Sequence, residues 1–230
     1  MIASETGRPL VQHVVDRVVK SRKVSTCVVA TDDERIIAAV KPFGTNCVMT
    51  SVHHQSGTDR IAEVMRGRNE EIVVNVQGDE PEIEPELIDS LIERLETTDD
   101  PMATVATKFP SGADPKDPNL VKVVRSELGH AIYFSRSPIP YPRDNAPVSY
   151  LLHLGVYAYR RSFLLEYASW PQTTLEKIEK LEQLRVLERG HRIYLGLTER
   201  LSHGIDTPEQ YQAFVKRMRG SVEPAMSCGS

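Results

Sequence analysis

Ile72-Val73-Val74-Asn75-Val76-Gln77-Gly78-Asp79-Glu80-Pro81 is the stretch whose reading decides the fold. The β-branched apolar run from Ile72 to Val76 reads as a buried strand of a parallel sheet. It stops at a glycine, two carboxylates and a proline. Ligands of open α/β sheets bind outside the carboxyl ends of strands, and a glycine there lets the backbone approach closely. Asp79 is therefore placed to hold Mg²⁺ on a phosphate chain. Taken bare, the Gly-Asp pair reads first as a solvated turn with incidental acids, so the rest of the chain must decide.

Outward from that strand, the first half alternates strands and helices. Leu10, Val14, Val15, Val18 and Val19 form a helical stripe over 9–20, opened by Pro9. A strand over 24–30 runs into Thr31-Asp32-Asp33-Glu34, a helix-start sequence for 35–40. A strand over 46–50, a helix over 58–66 and a helix over 85–95 complete the pattern. This rhythm with short loops predicts an α/β fold with a mostly parallel, doubly wound sheet. The second half predicts a more mixed arrangement of strands over 104–108, 120–125, 131–134 and 154–159. Between them lies the proline-rich loop 137–142, where proline cannot donate to a ladder. Helices over 163–168 and 175–188, a strand over 192–197 and a helix over 208–218 follow, and 220–230 is expected to be a disordered tail.

At 230 residues the chain is about one large α/β domain. A net charge of −4 with mixed signs and no basic block argues against nucleic acid or an anionic membrane as partner. No apolar run approaches the roughly 20 residues of a membrane span, and no secretory signal precedes the first helix. Cys27, Cys47 and Cys228 lack paired spacing, which suits buried thiols in a reducing compartment and makes the cytoplasm the expected location.

In order along the chain stand Gly7-Arg8-Pro9-Leu10 with His13, Ala30-Thr31-Asp32, His54-Gln55-Ser56-Gly57-Thr58-Asp59-Arg60, Asn75 to Pro81, and Pro118-Asn119 with Val121-Lys122-Val123-Val124. They continue with Tyr133-Phe134-Ser135-Arg136, His153-Leu154-Gly155-Val156-Tyr157, Leu175-Glu176 with Leu181-Glu182-Gln183-Leu184-Arg185, and Gly204-Ile205-Asp206-Thr207-Pro208. Each piece is weak alone. Together, over about 5–215, they resemble the 3-deoxy-manno-octulosonate cytidylyltransferases, or CMP-Kdo synthetases. The resemblance implies a single Rossmann-like nucleotidyltransferase domain over 1–219, with a smaller mixed-strand dimerisation and sugar-side lobe within 119–160. It implies a homodimer that joins CMP from CTP to the anomeric hydroxyl of Kdo, releasing pyrophosphate, in the route to lipopolysaccharide.

The resemblance assigns Asp79 and Asp206 to catalysis through Mg²⁺, which is usually held by one or two carboxylates plus phosphates and waters. Asp206 also fits the N-cap of the last helix, and both jobs are compatible. Ser56, Gly57, Thr58 and Arg60 offer hydroxyls, a close-approach glycine and a helix N-terminus. By resemblance they read the nucleotide, and Gln77 reaches the nucleotide–sugar junction; as a bare motif the loop is an ordinary N-cap. An acid sugar needs a cation and several hydrogen-bonding groups. Arg136, His153, Tyr157, Glu182 and Gln183 are the implied candidates. His153 and Tyr157, four apart on a strand, share a face, and Glu182 and Gln183 interrupt the helical pattern of Leu175, Ile178 and Leu181. Each of these also reads as an ordinary surface polar or a satisfied buried group. No nucleophile–base signature is present, and none is needed if the sugar hydroxyl attacks the α-phosphate directly.

The chain departs from the family in one respect. Relatives carry a first strand and an Arg/Ser/Lys loop gripping the triphosphate ahead of the Gly-Arg-Pro-Leu segment, and neither precedes Gly7 here. The expectation drawn from that departure is weak or absent turnover, an exposed ladder on the flanking strands and a gap in the core. The rival readings are an enzyme for another sugar acid and a non-catalytic relative that binds without turnover.

Overall fold

The computed structural model describes residues 1–54, 56–144, 147–199 and 204–220. The elements are α1 (Leu10–Val18), β1 (Val29–Thr31), α2 (Glu34–Val40), β2 (Cys47–Met49), α3 (Gly57–Arg66), β3 (Ile72–Asn75), α4 (Pro85–Thr97), β4 (Met102–Lys108), β5 (Lys122–Arg125), β6 (Ala131–Ser135), β7 (Leu151–Arg160), α5 (Arg161–Tyr167), α6 (Thr174–Glu179), α7 (Leu184–Glu188), β8 (Tyr194–Thr198) and α8 (Pro208–Gly220).

The α/β class holds, and the sheet is mixed. β1 pairs parallel with β2 and β4 parallel with β8, while β3–β7, β4–β7, β5–β6 and β5–β7 are antiparallel. β3 thus corrects the expectation of a parallel-sheet strand, because its partner is the antiparallel β7. Its apolar run reflects cover on both faces, which an antiparallel strand between helices needs as much as a parallel one does.

β7 is the longest strand, and it organises the molecule. Along one edge it pairs with β4 throughout. Its other edge is divided: β5 takes Leu151 and Leu152, and β3 takes Tyr157 to Arg160. At the β4 side the register jumps between Thr104 and Val105, so β7 carries a bulge at Gly155 and Val156. His153 and Gly155, between the β5 and β3 pairings, share one face with Tyr157 at the start of the β3 pairing, and over that face a cleft opens.

The alternation of β4 and β7 separates two cores. Ala103, Val105, Val156 and Ala158 face α1 and α4, whose Val14, Val18, Ile88, Leu91 and Leu95 fill the layer. Ile88 and Leu95 are completely buried, and each such side chain contributes about 1.5–3 kcal/mol of burial free energy. Met102, Ala106, Tyr159, Phe163, Leu164, Tyr167, Leu184 and Leu195 form the other core beneath α3, α5 and α7. A third cluster, Leu10 with Ile205, Tyr211, Phe214 and Val215, seats α8 on α1.

The single helix expected over 175–188 is broken into α6 and α7. Lys180 ends α6 in the left-handed region at φ 52°. The final carbonyls of α6 are taken by Arg136, whose Nε donates to Glu179 O at 2.7 Å and Nη2 to Lys180 O at 3.2 Å. A guanidinium capping the C-terminus thus replaces the next helical turn. Glu182 and Gln183 accordingly sit in an elbow between the helices. The expected tail lies outside the described residues, apart from Gly220, which ends α8.

Candidate functional site

The cleft encloses about 210 Å³, and its lining includes Met102 of β4 and Tyr167 of α5 as well as four groups that carry the expected residues. Gly57 and Thr58 come from the start of α3, Asn75 and Gln77 from β3 and its exit, His153, Gly155 and Tyr157 from β7, and Lys180 to Gln183 from the elbow. Seven of the residues expected from sequence therefore share one cavity: Gly57, Thr58, Gln77, His153, Tyr157, Glu182 and Gln183.

Local chemistry explains why each wall stands where it does. Ser56 caps α3 by accepting from the Asp59 N–H at 3.1 Å, which frees Thr58 to donate from Oγ1 to Glu182 Oε2 at 2.8 Å. Tyr167 holds the same elbow by donating from its hydroxyl to Glu182 O at 2.8 Å. Behind the elbow, at the start of α6, Glu176 accepts from the Thr173 N–H at 3.1 Å and forms a buried, two-pronged ion pair with Arg185. The wall is tied down from three sides.

Electrostatics follow burial. The Glu182 carboxyl is pushed up by burial, an effect offset in part by the Thr58 hydroxyl and the nearby Arg185. Burial lowers His153 to about 3, so its imidazole is neutral at ordinary pH. The Tyr157 phenol is pushed well above its usual range by burial. His153 packs edge-on to Phe134 at 4.9 Å and beside Tyr157 at 5.4 Å, and its Nε2 meets Thr104 Oγ1 at 3.0 Å.

Asp79 and Asp206 lie outside that lining, two residues beyond Gln77 in the case of Asp79, and the fold brings them together across 127 positions of sequence (206 − 79). Ile205 N donates to Asp79 O at 2.8 Å, and the Asp206 carboxylate stands beside that of Asp79. Burial first, and then the neighbouring Asp206 charge, raise the Asp79 carboxyl. Two crowded carboxylates that resist joint ionisation fit a divalent cation whose other ligands are phosphate and water oxygens. No group of three or more His, Cys, Asp or Glu side chains forms a metal site among the described residues. The N-cap expected of Asp206 falls instead to Thr207: Gln210 N donates to Thr207 Oγ1 at 3.3 Å, while Gln210 Oε1 accepts from the Asp206 and Thr207 N–H groups. Gly78 stands against the Met1 side chain, which an added Cβ would strike.

Besides Asp79 and Asp206, three further expected residues are not among those lining the cleft. Ser56 serves as the cap described above. Arg60 is tied to Thr50 Oγ1 at 2.5 Å and Asp32 Oδ2 at 2.8 Å, bracing the ends of β1 and β2. Arg136 gives Nε, Nη1 and Nη2 to the carbonyls of Glu179, Pro118 and Lys180. Conversely, Asn75, Lys180 and Thr104 were missed. Asn75 is a buried amide within an apolar strand, a legible signal because such a group needs a partner; no sequence signal marks the other two.

A family model described as cytidylyltransferase matches residues 2–193. The 3-deoxy-manno-octulosonate cytidylyltransferase of Geotalea daltonii is 46% identical, over 95% of this chain and 91% of that protein. The protein of the same name from Solibacter usitatus is 43% identical over all of this chain and 92% of its own. Among solved structures, a CMP:2-keto-3-deoxy-manno-octonic acid synthetase complexed with CTP superposes with a TM-score of 0.91 at 39% identity, covering 96% of this chain and 92% of that one. A 4-diphosphocytidyl-2C-methyl-D-erythritol synthase from Anaerococcus prevotii, 15% identical with a TM-score of 0.59, shares the fold.

Proposed function

The chain belongs to the 3-deoxy-manno-octulosonate cytidylyltransferase family, and from that premise we propose that its cleft transfers CMP from CTP to Kdo. The anomeric hydroxyl oxygen of Kdo forms a bond to the α-phosphorus, the bond from that phosphorus to the bridging oxygen of pyrophosphate breaks, and the hydroxyl proton is lost to solvent. The observation that carries the reading is the convergence of two sets of residues around Gln77: the hydrogen-bonding wall of Thr58, His153, Tyr157, Glu182 and Gln183, and the paired carboxylates Asp79 and Asp206 just beyond.

Asp79 and Asp206 would hold Mg²⁺. Bound there, the ion supplies charge neutralisation on the phosphates during transfer. The chain's own groups do the positioning. The α3 start, with Ser56, Gly57 and Thr58, faces Asn75 and Gln77, whose amides lie 4.0 and 3.8 Å from the position a Gly57 Cβ would take; this part receives the nucleotide. Arg60 supports it indirectly by holding β1 and β2. His153, Tyr157, Glu182 and Gln183 address the sugar hydroxyls. Arg136, with N–H donors to spare, and Lys180 on the cleft wall supply positive charge for the carboxylate.

The functional unit is a homodimer acting in the cytoplasm on the route to lipopolysaccharide. The β5–β6 lobe supports the dimer: β6 is the outer strand of its sheet, and Leu128 and Ile132 on that lobe are 83% and 59% exposed. The test is pyrophosphate release from CTP, Kdo and Mg²⁺ by the purified protein, with CMP-Kdo identified as product. Release with another sugar acid and none with Kdo would overturn the substrate, and binding without release would overturn the enzyme.

A further inference from the structure

The bulge in β7 leaves Gly155 and Val156 without register partners on β4, and a buried threonine meets the Val156 carbonyl. Thr104 is completely buried. Its Oγ1 donates to Val156 O at 2.8 Å, with Leu154 O at 3.4 Å. A carbonyl oxygen only accepts, so a 2.8 Å contact between these two oxygens requires the threonine hydrogen. A hydroxyl has one hydrogen. Thr104 Oγ1 therefore has only a lone pair left for His153 Nε2, 3.0 Å away.

We infer that Thr104 is a positioning residue: it fixes His153 as the Nε2–H tautomer, so that Nδ1 meets the cleft as a hydrogen-bond acceptor. This rests on the sugar-acid reading of the cleft, and it specifies what His153 does there. His153 lines the cleft, and among the described residues its ring has no hydrogen-bond partner other than Thr104. The edge of Phe134 and the tilted ring of Tyr157 restrict its rotation. A neutral ring offering a lone pair selects a hydroxyl that donates, and it gives nothing to a carboxylate. Discrimination of hydroxyl pattern on the sugar thus depends on Thr104, a residue that touches no substrate.

Two readouts test this. In ¹⁵N-resolved imidazole spectra of the whole protein, His153 should show a protonated Nε2 and an unprotonated Nδ1, with Nδ1 shifting when Kdo is added in the presence of CTP. An Nδ1–H ring, or an imidazolium at neutral pH, overturns the proposal. In kinetics, Thr104→Val should raise the KM for Kdo about fivefold, the loss of one neutral hydrogen bond, leave the KM for CTP within about twofold, and lose the tautomer signature; Thr104→Ser should restore both. An unchanged sugar KM in Thr104→Val overturns it. Should that variant fail to fold, His153→Asn, which keeps an acceptor near the Nδ1 position, should retain a lower sugar KM than His153→Gln, and the reverse order overturns the proposal. A wild-type ring in the Nε2–H form, in a protein that transfers CMP to another sugar acid, would uphold the tautomer and overturn the Kdo reading instead.

Discussion

On the proposed sugar side of the cleft, His153 and Tyr157 stand on the longest strand and Glu182 on an elbow held by Thr58, Tyr167, Arg136 and the Glu176–Arg185 pair. On the proposed phosphate side, Asp79 and Asp206 meet on two loops, joined by one backbone hydrogen bond and set against each other in charge. The first half is held in shape by hydrogen bonds and an ion pair before any ligand arrives. The second is left in electrostatic debt that a cation and phosphates would discharge. The difference is what the reaction asks for: a sugar with a fixed hydroxyl pattern needs rigid complementary partners, and transferring a phosphoryl group needs negative charge concentrated where a cation must bind. The two sides should therefore fail in different ways.

The largest expected effect is on the sugar side and on stability. Arg185 is buried, and Glu176 is its two-pronged partner. Glu176→Gln leaves a buried guanidinium without its countercharge, which costs about 3–5 kcal/mol. Chemical denaturation should show that loss, and because the elbow shifts, surviving protein should have a raised KM for Kdo with CTP binding little changed. A loss under about 1 kcal/mol would mean that the elbow does not depend on this pair.

On the phosphate side the same kind of substitution should do the reverse. Asp79→Asn removes one of two crowded carboxylates, so it should lower kcat/KM by about 10²–10³ while denaturation without Mg²⁺ shows unchanged or increased stability. A variant that loses activity only in proportion to lost stability would erase the distinction between the two halves.

How much of this contrast the sequence carried follows from what each residue depends on. Asp79, Gln77 and the α3 start were legible because strand ends, glycines and caps are local signals. His153 and Tyr157 were legible as a face because alternation on a strand is local too. The elbow was not: 175–188 reads as one helix, and what breaks it is Arg136, 44 positions before Lys180. The antiparallel pairing of β3 was equally hidden, since a run such as Ile72 to Asn75 records burial on both faces and not the direction of the neighbour. Thr104 looks like any β-branched strand residue, and its role exists only because β7 bulges opposite it. The departure at Arg60 has the same origin, for its partners Asp32 and Thr50 come from other strand ends.

The next effect sharpens the account of charge. Asp79 has a folded carboxyl raised by burial and by Asp206, so in the absence of cation this group opposes folding once pH exceeds its ordinary unfolded value, and the penalty is complete above the raised folded one. Saturating Mg²⁺ should therefore stabilise the protein near neutral pH by about 2.7 kcal/mol at a hundredfold excess over its Kd, read as a rise of about 5–10 °C in Tm. As pH falls through the raised value a proton replaces the cation and the Mg²⁺ increment should vanish. In Asp79→Asn the increment should be small at every pH. A Tm that ignores Mg²⁺ at neutral pH would remove the cation from Asp79 and Asp206.

The smallest effect asks whether the loop geometry of the phosphate side matters beyond its charge. Thr207, not Asp206, caps α8, and Gln210 returns hydrogen bonds to the Asp206 and Thr207 N–H groups. Thr207→Ala removes that cap at a cost of about 1 kcal/mol, or about 2–4 °C in Tm for a chain of this size. If the cap only holds α8 in place, the Mg²⁺ concentration for half-maximal rate stays at the wild-type value. If it also aims the Asp206 carboxylate, that concentration should rise by about fivefold, the equivalent of the lost cap energy, with the KM for Kdo unmoved. The second outcome is expected, because among the described residues Asp206 is fixed on its amino-terminal side by Ile205 N on Asp79 O and on the other by this cap. A sugar KM that moved with it would show the two halves of the cleft to be mechanically coupled, which their separate supports argue against.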